Sequence, residues 1–492
     1  MADDNYKDEY QTRLQKLEEI RKAGVNPYPA KYDKKNKAAE IQSSADGTSL
    51  KTAGRIVGLR EMGKLIFCHV QDESGKAQIA LKQDELGKDK FKFFTKYFDI
   101  GDFIGVEGEV FTTQKGEKTL LIKNYELLSK ALLPLPEKWH GLKDKEIRYR
   151  QRYLDLIINP EVKQVFEKRQ KTISAIREFL NSKNYIEVET PILQPIYGGT
   201  NARPFETKLN SLKMDLFLRI SNELYLKRLI VGGYEKIFEF SQDFRNEGID
   251  ATHNPEFLQM ETMNAYADYK QNMDLLEQMF EFVVKKVCGT TKIKYQDKII
   301  DFKRPWQRIS MIDAIKKYAK IDVEKMNDQE LKKKLQEFPP EADQPLTEKI
   351  ELPEFKRGVA IEEIFEELVE NKLIQPTIIY DFPFETCGLA KPKSDNIKYA
   401  ERFEPYINGW ELGNVYSELN DPRVLKKYWQ EQEKNLSKDA EAQRLDLDFL
   451  NALEVGMPPT SGIGIGVDRL VMLLTNSASI RDVIFFPFMR SK

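Results

Sequence analysis

Between Ala53 and Ser129 the chain reads as five short alternating segments: Gly54–Arg60, Leu65–Gln71, Lys76–Leu81, Phe103–Phe111 and Thr119–Leu128. Turn pairs such as Ser74-Gly75 and Lys115-Gly116 part them. Five strands in so little chain, with a helical interruption near Asp84–Lys96, suit a small Greek-key barrel of the OB type, although the strand count alone also fits other small barrels.

The flanks are of a different kind. Leu14, Leu17 and Ile20 recur among charges within residues 1 to about 24 and stop at Gly24, the pattern of an amphipathic helix with a glycine C-cap. Asn26–Ser49 is rich in Lys, Pro, Asn and Ser and reads as an arm. Leu132–Pro136, with Pro134 and Pro136, marks a boundary. Beyond it Val162, Val165, Phe166, Arg169, Ile173, Ile176, Phe179 and Leu180 give a long amphipathic helix that opens a larger domain. Met311–Lys320, Asp328–Phe338 and Ile361–Ile374 are helical and read as an insertion between strands of that domain. The expected class is α+β: a helix and arm over 1–50, the barrel over 51–130, a linker over 131–150 and the large domain over 151–492, with a helical insertion at about 305–375.

Bulk properties bound the function. With 492 residues, 41% of them hydrophobic, the chain can bury more than one core. Lys plus Arg (77) nearly balance Asp plus Glu (79), so any polyanion site must be local. No apolar run is long enough to span a bilayer, and Met1–Tyr10 is acidic and polar, which predicts a cytoplasmic protein without a membrane partner. Three distant cysteines (Cys68, Cys288, Cys387) and three histidines (His69, His140, His253) give no basis for a disulfide framework or a thiolate or imidazole zinc site.

Two stretches carry the chemistry. Phe244-Arg245-Asn246-Glu247-Gly248 and His253-Asn254-Pro255-Glu256-Phe257 read as two strands joined by a polar loop, with Arg245 and Glu247 on one face. A guanidinium fork beside a carboxylate can hold a nucleotide, though a lone Arg-x-Glu also fits a cross-strand ion pair. In Glu404–Glu418, Asn408-Gly409 is a hairpin turn, so Ile407 faces Trp410 and Tyr406 faces Glu411. Glu404 and Glu411 then become diagonal neighbours on one side. Two carboxylates so placed repel unless a cation lies between them, and hard oxygen ligands with bound phosphates are what Mg²⁺ prefers. Asn414, Tyr416 and Glu418 fall on the opposite face by parity. For all to line one pocket the strand must slip by one residue, which predicts a β-bulge at Leu412 or Gly413.

The first of these stretches resembles motif 2 of the class II aminoacyl-tRNA synthetases and is closest in wording to the lysine enzymes. The resemblance runs from Ala53 nearly to the C-terminus. Tyr185–Leu193, with Pro191 at a strand end, is similar to motif 1, part of the family's dimer interface. Gly462-Ile463-Gly464-Ile465-Gly466-Val467-Asp468-Arg469 is similar to motif 3, where the counterpart of Arg469 meets the nucleotide's phosphates and stacks on adenine, and that of Phe257 covers the other face. By this resemblance Arg245, Glu247, His253, Asn254, Phe257, Glu404, Glu411 and Arg469 form the ATP site, with Arg245 and Arg469 catalytic and Mg²⁺ on Glu404 and Glu411. Gly199, Glu223, Arg245, Glu261, Asn414, Tyr416 and Glu418 contact lysine, with Glu261 and Glu418 facing its ammonium. Arg60, Phe67 and Gln78 match anticodon readers, an aromatic flanked by a cation and an amide. Read on their own, Phe67 also fits a core position and the other two a plain surface.

The resemblance therefore implies an OB-type anticodon domain, an antiparallel-sheet catalytic domain, and a lysine–tRNA ligase that forms lysyl-adenylate from ATP and passes lysine to tRNA(Lys) as a homodimer. The chain departs from the pattern at Glu261-Thr262-Met263, where lysine enzymes usually carry a tyrosine in the place of Met263, and at Ser221-Asn222, where Ala-Pro is usual. Another residue or a water replaces the missing hydroxyl, or binding is weaker, or the substrate is not plain lysine. Alternative readings are an aspartyl- or asparaginyl-type synthetase, a protein-modifying paralogue, or a silent synthetase-like RNA-binding protein. The acidic pair Glu261 and Glu418, the barrel and the complete motifs weigh against these in turn. No HIGH-type sequence occurs, and Lys391-Pro392-Lys393-Ser394 reads as a solvated loop.

Overall fold

A computed structural model describes residues 2–136, 142–338, 355–433 and 445–491. His140, with residues 137–141 of the expected linker, and residues 339–354 of the expected insertion lie outside them. The chain divides into two compact units, Met1–Lys143 and Asp144–Lys492.

In the first unit the five alternating segments become the strands Ser49–Met62, Leu65–Asp72, Gly75–Lys82, Phe103–Thr112 and Lys118–Ser129. They close into a barrel in which the third strand pairs in parallel with the fifth and the remaining pairs are antiparallel. Alternation decides what faces inward: Ile66, Cys68 and Val70 are buried with Ile79, Leu81, Ile104, Val106, Leu120 and Ile122. The helical interruption is two helices, Gln83–Leu86 and Lys88–Tyr97, which add Phe91 and Phe94 to this core. The N-terminal helix spans Ala2–Lys22 and Gly24 adopts φ +74°, the left-handed value that favours glycine after a helix. The arm that follows includes a short helix, Glu40–Ser43, that the composition did not suggest.

The second unit is built on a nine-stranded sheet. Its order is Gln307–Ser310, Thr377–Tyr380, Arg402–Ile407, Gly413–Ser417, Thr460–Gly466, Glu256–Ala265, Lys236–Phe244 and Ile186–Glu187, with Trp410–Glu411 paired to Arg402–Ile407. The central pairings are antiparallel, and the outermost pair at each end is parallel. One face carries Phe238, Met260, Ile463, Ile465, Val415 and Phe403 and packs on the helices Glu161–Ser182, Tyr269–Cys288 and Val467–Thr475. The other face bears the polar residues of the motifs. Such two-sidedness is the sheet's period of two made visible.

Insertion helices lie between Gln307–Ser310 and Thr377–Tyr380: Met311–Ala314 continuing into a π-helical turn Ile315–Ala319, Asp328–Leu335, and Arg357–Leu368. Lys391-Pro392-Lys393-Ser394 is not a loosely solvated loop. Pro392 bridges to Ala400, Lys391 Nζ donates to Asn420 and Lys393 Nζ pairs with Asp381 at 2.5 Å.

Candidate active site

The strands Lys236–Phe244 and Glu256–Ala265 run in strict register from Lys236↔Asn264 to Phe244↔Glu256. The expectation that Arg245 and Glu247 share a strand face is corrected here: the strand ends at Phe244, and both residues lie in the loop. Arg245 N–H still donates to Pro255 C=O at 2.9 Å, but proline has no N–H to return the bond, so the ladder stops. The Arg245 guanidinium lies 5.1 Å from the Phe257 ring centroid.

The hairpin at Asn408-Gly409 has the expected pairs Ile407↔Trp410 and Tyr406↔Glu411. Three residues back along the first strand and four forward along the second, Phe403 pairs with Val415 and Arg402 with Tyr416, a register one residue longer. Leu412 N–H still donates to Pro405 C=O at 2.9 Å, so the slip falls after it, within the Leu412-Gly413 step where the parity argument put a bulge. Glu404, Tyr406, Glu411, Asn414 and Tyr416 therefore share the pocket side.

Between this wall and the Glu256–Ala265 wall runs the glycine strand. Gln259↔Gly466, Glu261↔Gly464 and Met263↔Gly462 pair on one side, Asn414↔Gly464 and Tyr416↔Gly462 on the other. All three glycines fall on the pocket face, so the floor carries no side chains. A Cβ at Gly462 would lie 2.7 Å from Glu418 Oε1, and one at Gly464 3.0 Å from Gln259 Nε2. Gly199 closes one edge at φ +96°, with its Cβ position 2.9 Å from Ser221 Oγ.

The resulting cavity has a volume of about 460 Å³. Gly199, Glu223, Arg245, Glu247, His253, Asn254, Phe257, Glu261, Glu404, Glu411, Asn414, Tyr416, Glu418 and Arg469 all line it, although they come from segments more than 250 residues apart.

At one end, Arg469 enters from the helix Val467–Thr475 and donates to Glu411 C=O at 2.7 Å. Its Nη2 lies 2.9 Å from His253 Nε2, while His253 Nδ1 lies 2.7 Å from Asp250 Oδ2. A guanidinium can only donate, so Nε2 accepts and the imidazole proton sits on Nδ1, donated to Asp250. Asp468 accepts from Leu258 N–H at 2.8 Å and from Arg169, tying the two motif segments together. Glu404 accepts from Arg402 and, at 2.6 Å, from the Tyr406 hydroxyl. The Glu411 carboxyl is pushed above its ordinary range by desolvation and then by the charge of Glu404. Glu370, on the insertion side, is pushed up to about 7 by burial and by Glu404. Among the described residues no group of three or more His, Cys, Asp or Glu is placed to hold a metal.

The other end holds four acidic and basic groups. Lys227, 1% exposed, pairs at 2.5 Å with both Glu223 Oε1 and Glu418 Oε2. Tyr416 Oη–H donates to Glu223 Oε2 at 2.6 Å. Among the described residues no cation pairs with Glu261 in this way. It accepts from Gln259 Nε2 at 2.9 Å and Ser221 Oγ at 3.3 Å. Burial, then Glu223, Asp243 and Glu239, push its carboxyl well above the usual range. Lys227 was missed in the sequence, although its spacing of four from Glu223 on one helix was a usable signal. Arg402 and Tyr406, which flank Glu404 at a period of two, were missed likewise.

In the barrel, Arg60 pairs with Phe67 and His69 with Gln78, which puts Arg60, Phe67 and Gln78 on one outward face. Phe67 is half-buried there and is not part of the interior, whose neighbours are Ile66 and Cys68. Gln78 donates to Glu117 at 2.9 Å and accepts from Thr119 Oγ1 at 2.8 Å.

Comparison with known proteins matches residues 144–490 to the family described as tRNA synthetases class II (D, K and N), and residues 50–128 to the OB-fold nucleic acid binding domain. The chain is 48% identical to a lysine–tRNA ligase of Clostridium novyi over 97% of its length and 94% of the relative's. It is 47% identical to the Clostridium kluyveri enzyme of that name over 100% and 97% of the two chains. A Thermoanaerobacter lysine–tRNA ligase is 50% identical over 98% and 95%.

Proposed function

Because this chain belongs to the class II tRNA synthetases and functions as a lysine–tRNA ligase, we propose that lysine is recognised at Glu261 and activated between Arg245 and Arg469. The observation that carries the reading is Glu261, a buried carboxylate with which no cation pairs among the described residues, over a side-chain-free glycine floor. A cationic amino acid supplies the missing charge, whereas aspartate adds a repulsive one.

In the first step an oxygen of the lysine carboxylate attacks the α-phosphorus of ATP. The new P–O bond forms as the α–β anhydride breaks and pyrophosphate leaves. Arg245 meets the charge that develops on the α-phosphate, and Arg469 holds the far phosphates once it releases His253. Phe257, under the Arg245 guanidinium, offers an aromatic face to the base. Gly199, Glu223 and Asn414 complete the contacts to lysine, and Glu247, His253 and Asn254 those to the nucleotide. Glu404 and Glu411 would hold Mg²⁺, because the two carboxylates line the pocket from neighbouring positions of the hairpin and every oxygen there is a hard donor. Bound there, the ion neutralises phosphate charge. In the second step the terminal adenosine hydroxyl of tRNA takes the lysyl group and AMP leaves. No side chain serves as nucleophile, so positioning carries the rate.

Arg60, Phe67 and Gln78 read anticodon bases by stacking and hydrogen bonding, supported by their common outward face. The homodimer forms through the motif 1 segment, where Ile186, Ile192 and Leu193 stand 53%, 44% and 49% exposed. No helix among the described residues is long and apolar enough to cross a membrane, and a cytoplasmic location follows from the tRNA and ATP substrates. Pyrophosphate exchange across a panel of amino acids tests the reading: lysine alone should support it, and exchange driven by aspartate or asparagine instead would overturn it.

A further inference from the structure

Arg402 lines the cavity and touches a residue of each of its ends. It pairs with Tyr416 across the sheet and lies two residues before Glu404, so the period of two puts all three on one face. Past the slip, Asn414 joins that face as the diagonal neighbour of Arg402.

Every nitrogen of the Arg402 guanidinium is engaged. Nε donates to Asn414 Oδ1 at 3.1 Å, Nη2 to Glu404 Oε1, and Nη1 to Cys387 Sγ at 3.2 Å. The guanidinium centre lies 4.4 Å from the Phe382 ring centroid, and Phe382 and Cys387 are both buried. A planar fork gripped on so many sides has one orientation.

That orientation decides what the two ends can do. A guanidinium has only donors, so the Asn414 atom that meets it is the carbonyl oxygen, and the amide keeps its Nδ2 donors for the cavity. Glu404 takes Arg402 on Oε1 and, at 2.6 Å, the Tyr406 hydroxyl on Oε2, which fixes the plane of its carboxylate.

We propose that Arg402 is a positioning residue that couples the lysine subsite to the nucleotide subsite. One rigid fork sets the polarity of the Asn414 amide and the plane of the Glu404 carboxylate, so a substrate that orders either group orders the other through it. Lysine and ATP then bind cooperatively. Arg402→Lys keeps the charge, but an ammonium is a point donor on a flexible stem and cannot hold both groups at once. The inference rests on the reading of Asn414 and Glu404 as contacts of the two substrates and adds the link between them.

The test is equilibrium binding to the whole chain by calorimetry. Lysine is titrated with and without saturating α,β-methylene ATP and Mg²⁺, and that analogue with and without lysine. The analogue cannot release pyrophosphate, so no turnover intervenes. In wild type each ligand should tighten the other by the same factor, at least about fivefold. Arg402→Lys should bring that factor below twofold. Asn414→Ala, which cuts the bridge at its far end, should do the same whether or not Arg402→Lys folds. Adding Arg402→Lys to Asn414→Ala should leave lysine affinity within twofold of Asn414→Ala alone. A wild-type factor below twofold, a wild-type factor retained in either single variant, or losses of lysine affinity that multiply in the double variant overturn the inference. A wild type that binds no lysine under either condition overturns instead the lysine reading on which it rests.

Discussion

Replacing Glu261 by Gln keeps the shape of the side chain and its contacts with Gln259 and Ser221 but removes the charge. If the lysine ammonium is the cation this buried carboxylate lacks, the variant loses a desolvated charge pair, which costs roughly 3–5 kcal/mol. That is a fall of roughly 10²-fold to several 10³-fold in kcat/KM for lysine, with KM for ATP little changed. The proton sharpens the test. Burial, Glu223, Asp243 and Glu239 hold the Glu261 carboxyl well above its ordinary range, so the free enzyme keeps a proton there at pH values where an exposed glutamate has lost it. Binding a cation expels that proton. Lysine affinity should therefore climb with pH by up to tenfold per unit, about 1.4 kcal/mol, and level off above the raised pKa. The stability sign runs the other way. The folded state binds the proton more tightly than the unfolded state, so stability is greatest below the ordinary carboxyl pKa and falls as pH rises through the raised one. Glu261→Gln escapes this loss and should gain in Tm relative to wild type as pH increases. Calorimetric titration with lysine in buffers of different ionisation enthalpy reads the proton directly. A wild type that releases no proton on binding lysine, or a Gln variant within threefold of wild-type kcat/KM, refutes the argument.

Arg245→Ala should cut lysine-dependent pyrophosphate exchange by roughly 10²–10³-fold, as for the loss of one charge-stabilising donor, with an unchanged far-ultraviolet spectrum. Near-normal exchange would remove Arg245 from the chemistry. Gly462→Ala puts a methyl 2.7 Å from Glu418 Oε1 and should weaken lysine far more than ATP; equal losses for both would show that the floor is not divided as described. Phe67→Ala should raise KM for tRNA by about tenfold or more, the worth of one stacked base at roughly 1–3 kcal/mol, while exchange, which involves no tRNA, keeps its rate. An unchanged charging rate would return Phe67 to a merely structural part.

Much of this was legible beforehand because it depends on period and parity. The five barrel strands were bounded to within a few residues except at the start of the first, and the inward set followed from alternation. The slip at the Leu412-Gly413 step followed from asking how Glu411 and Asn414 could share a side. What the sequence hid were the partners that only folding brings together. Arg245 and Glu247 were put on a strand because nothing local says that Pro255, ten residues away, is the residue opposite. The buried set Arg219, Glu239 and Asp243, with Asn222 donating to Glu239 at 2.8 Å, explains a residue that looked like a departure from the family. Glu418 was read as a free partner for the substrate because its Lys227 lies almost 200 residues upstream.

Lys227 also sets a condition on everything at that end of the site. Glu223 and Glu418 are both nearly inaccessible, and Lys227 is the cation they share. Their contacts raise its pKa despite burial, so the ammonium's contribution to stability is fully present below the ordinary lysine value and is lost only in strong base. Lys227→Met keeps the volume and removes the charge. Two buried carboxylates then face each other without a cation, a destabilisation of about 3–5 kcal/mol at neutral pH. The carboxylates can escape by taking up a proton, which raises their folded pKa above the unfolded value. The variant should therefore regain stability as pH falls, and its Tm deficit against wild type should be smaller at about pH 5.5 than at about pH 8. A deficit that does not change across this range would mean that Lys227 acts through packing alone and not as the cation shared by Glu223 and Glu418.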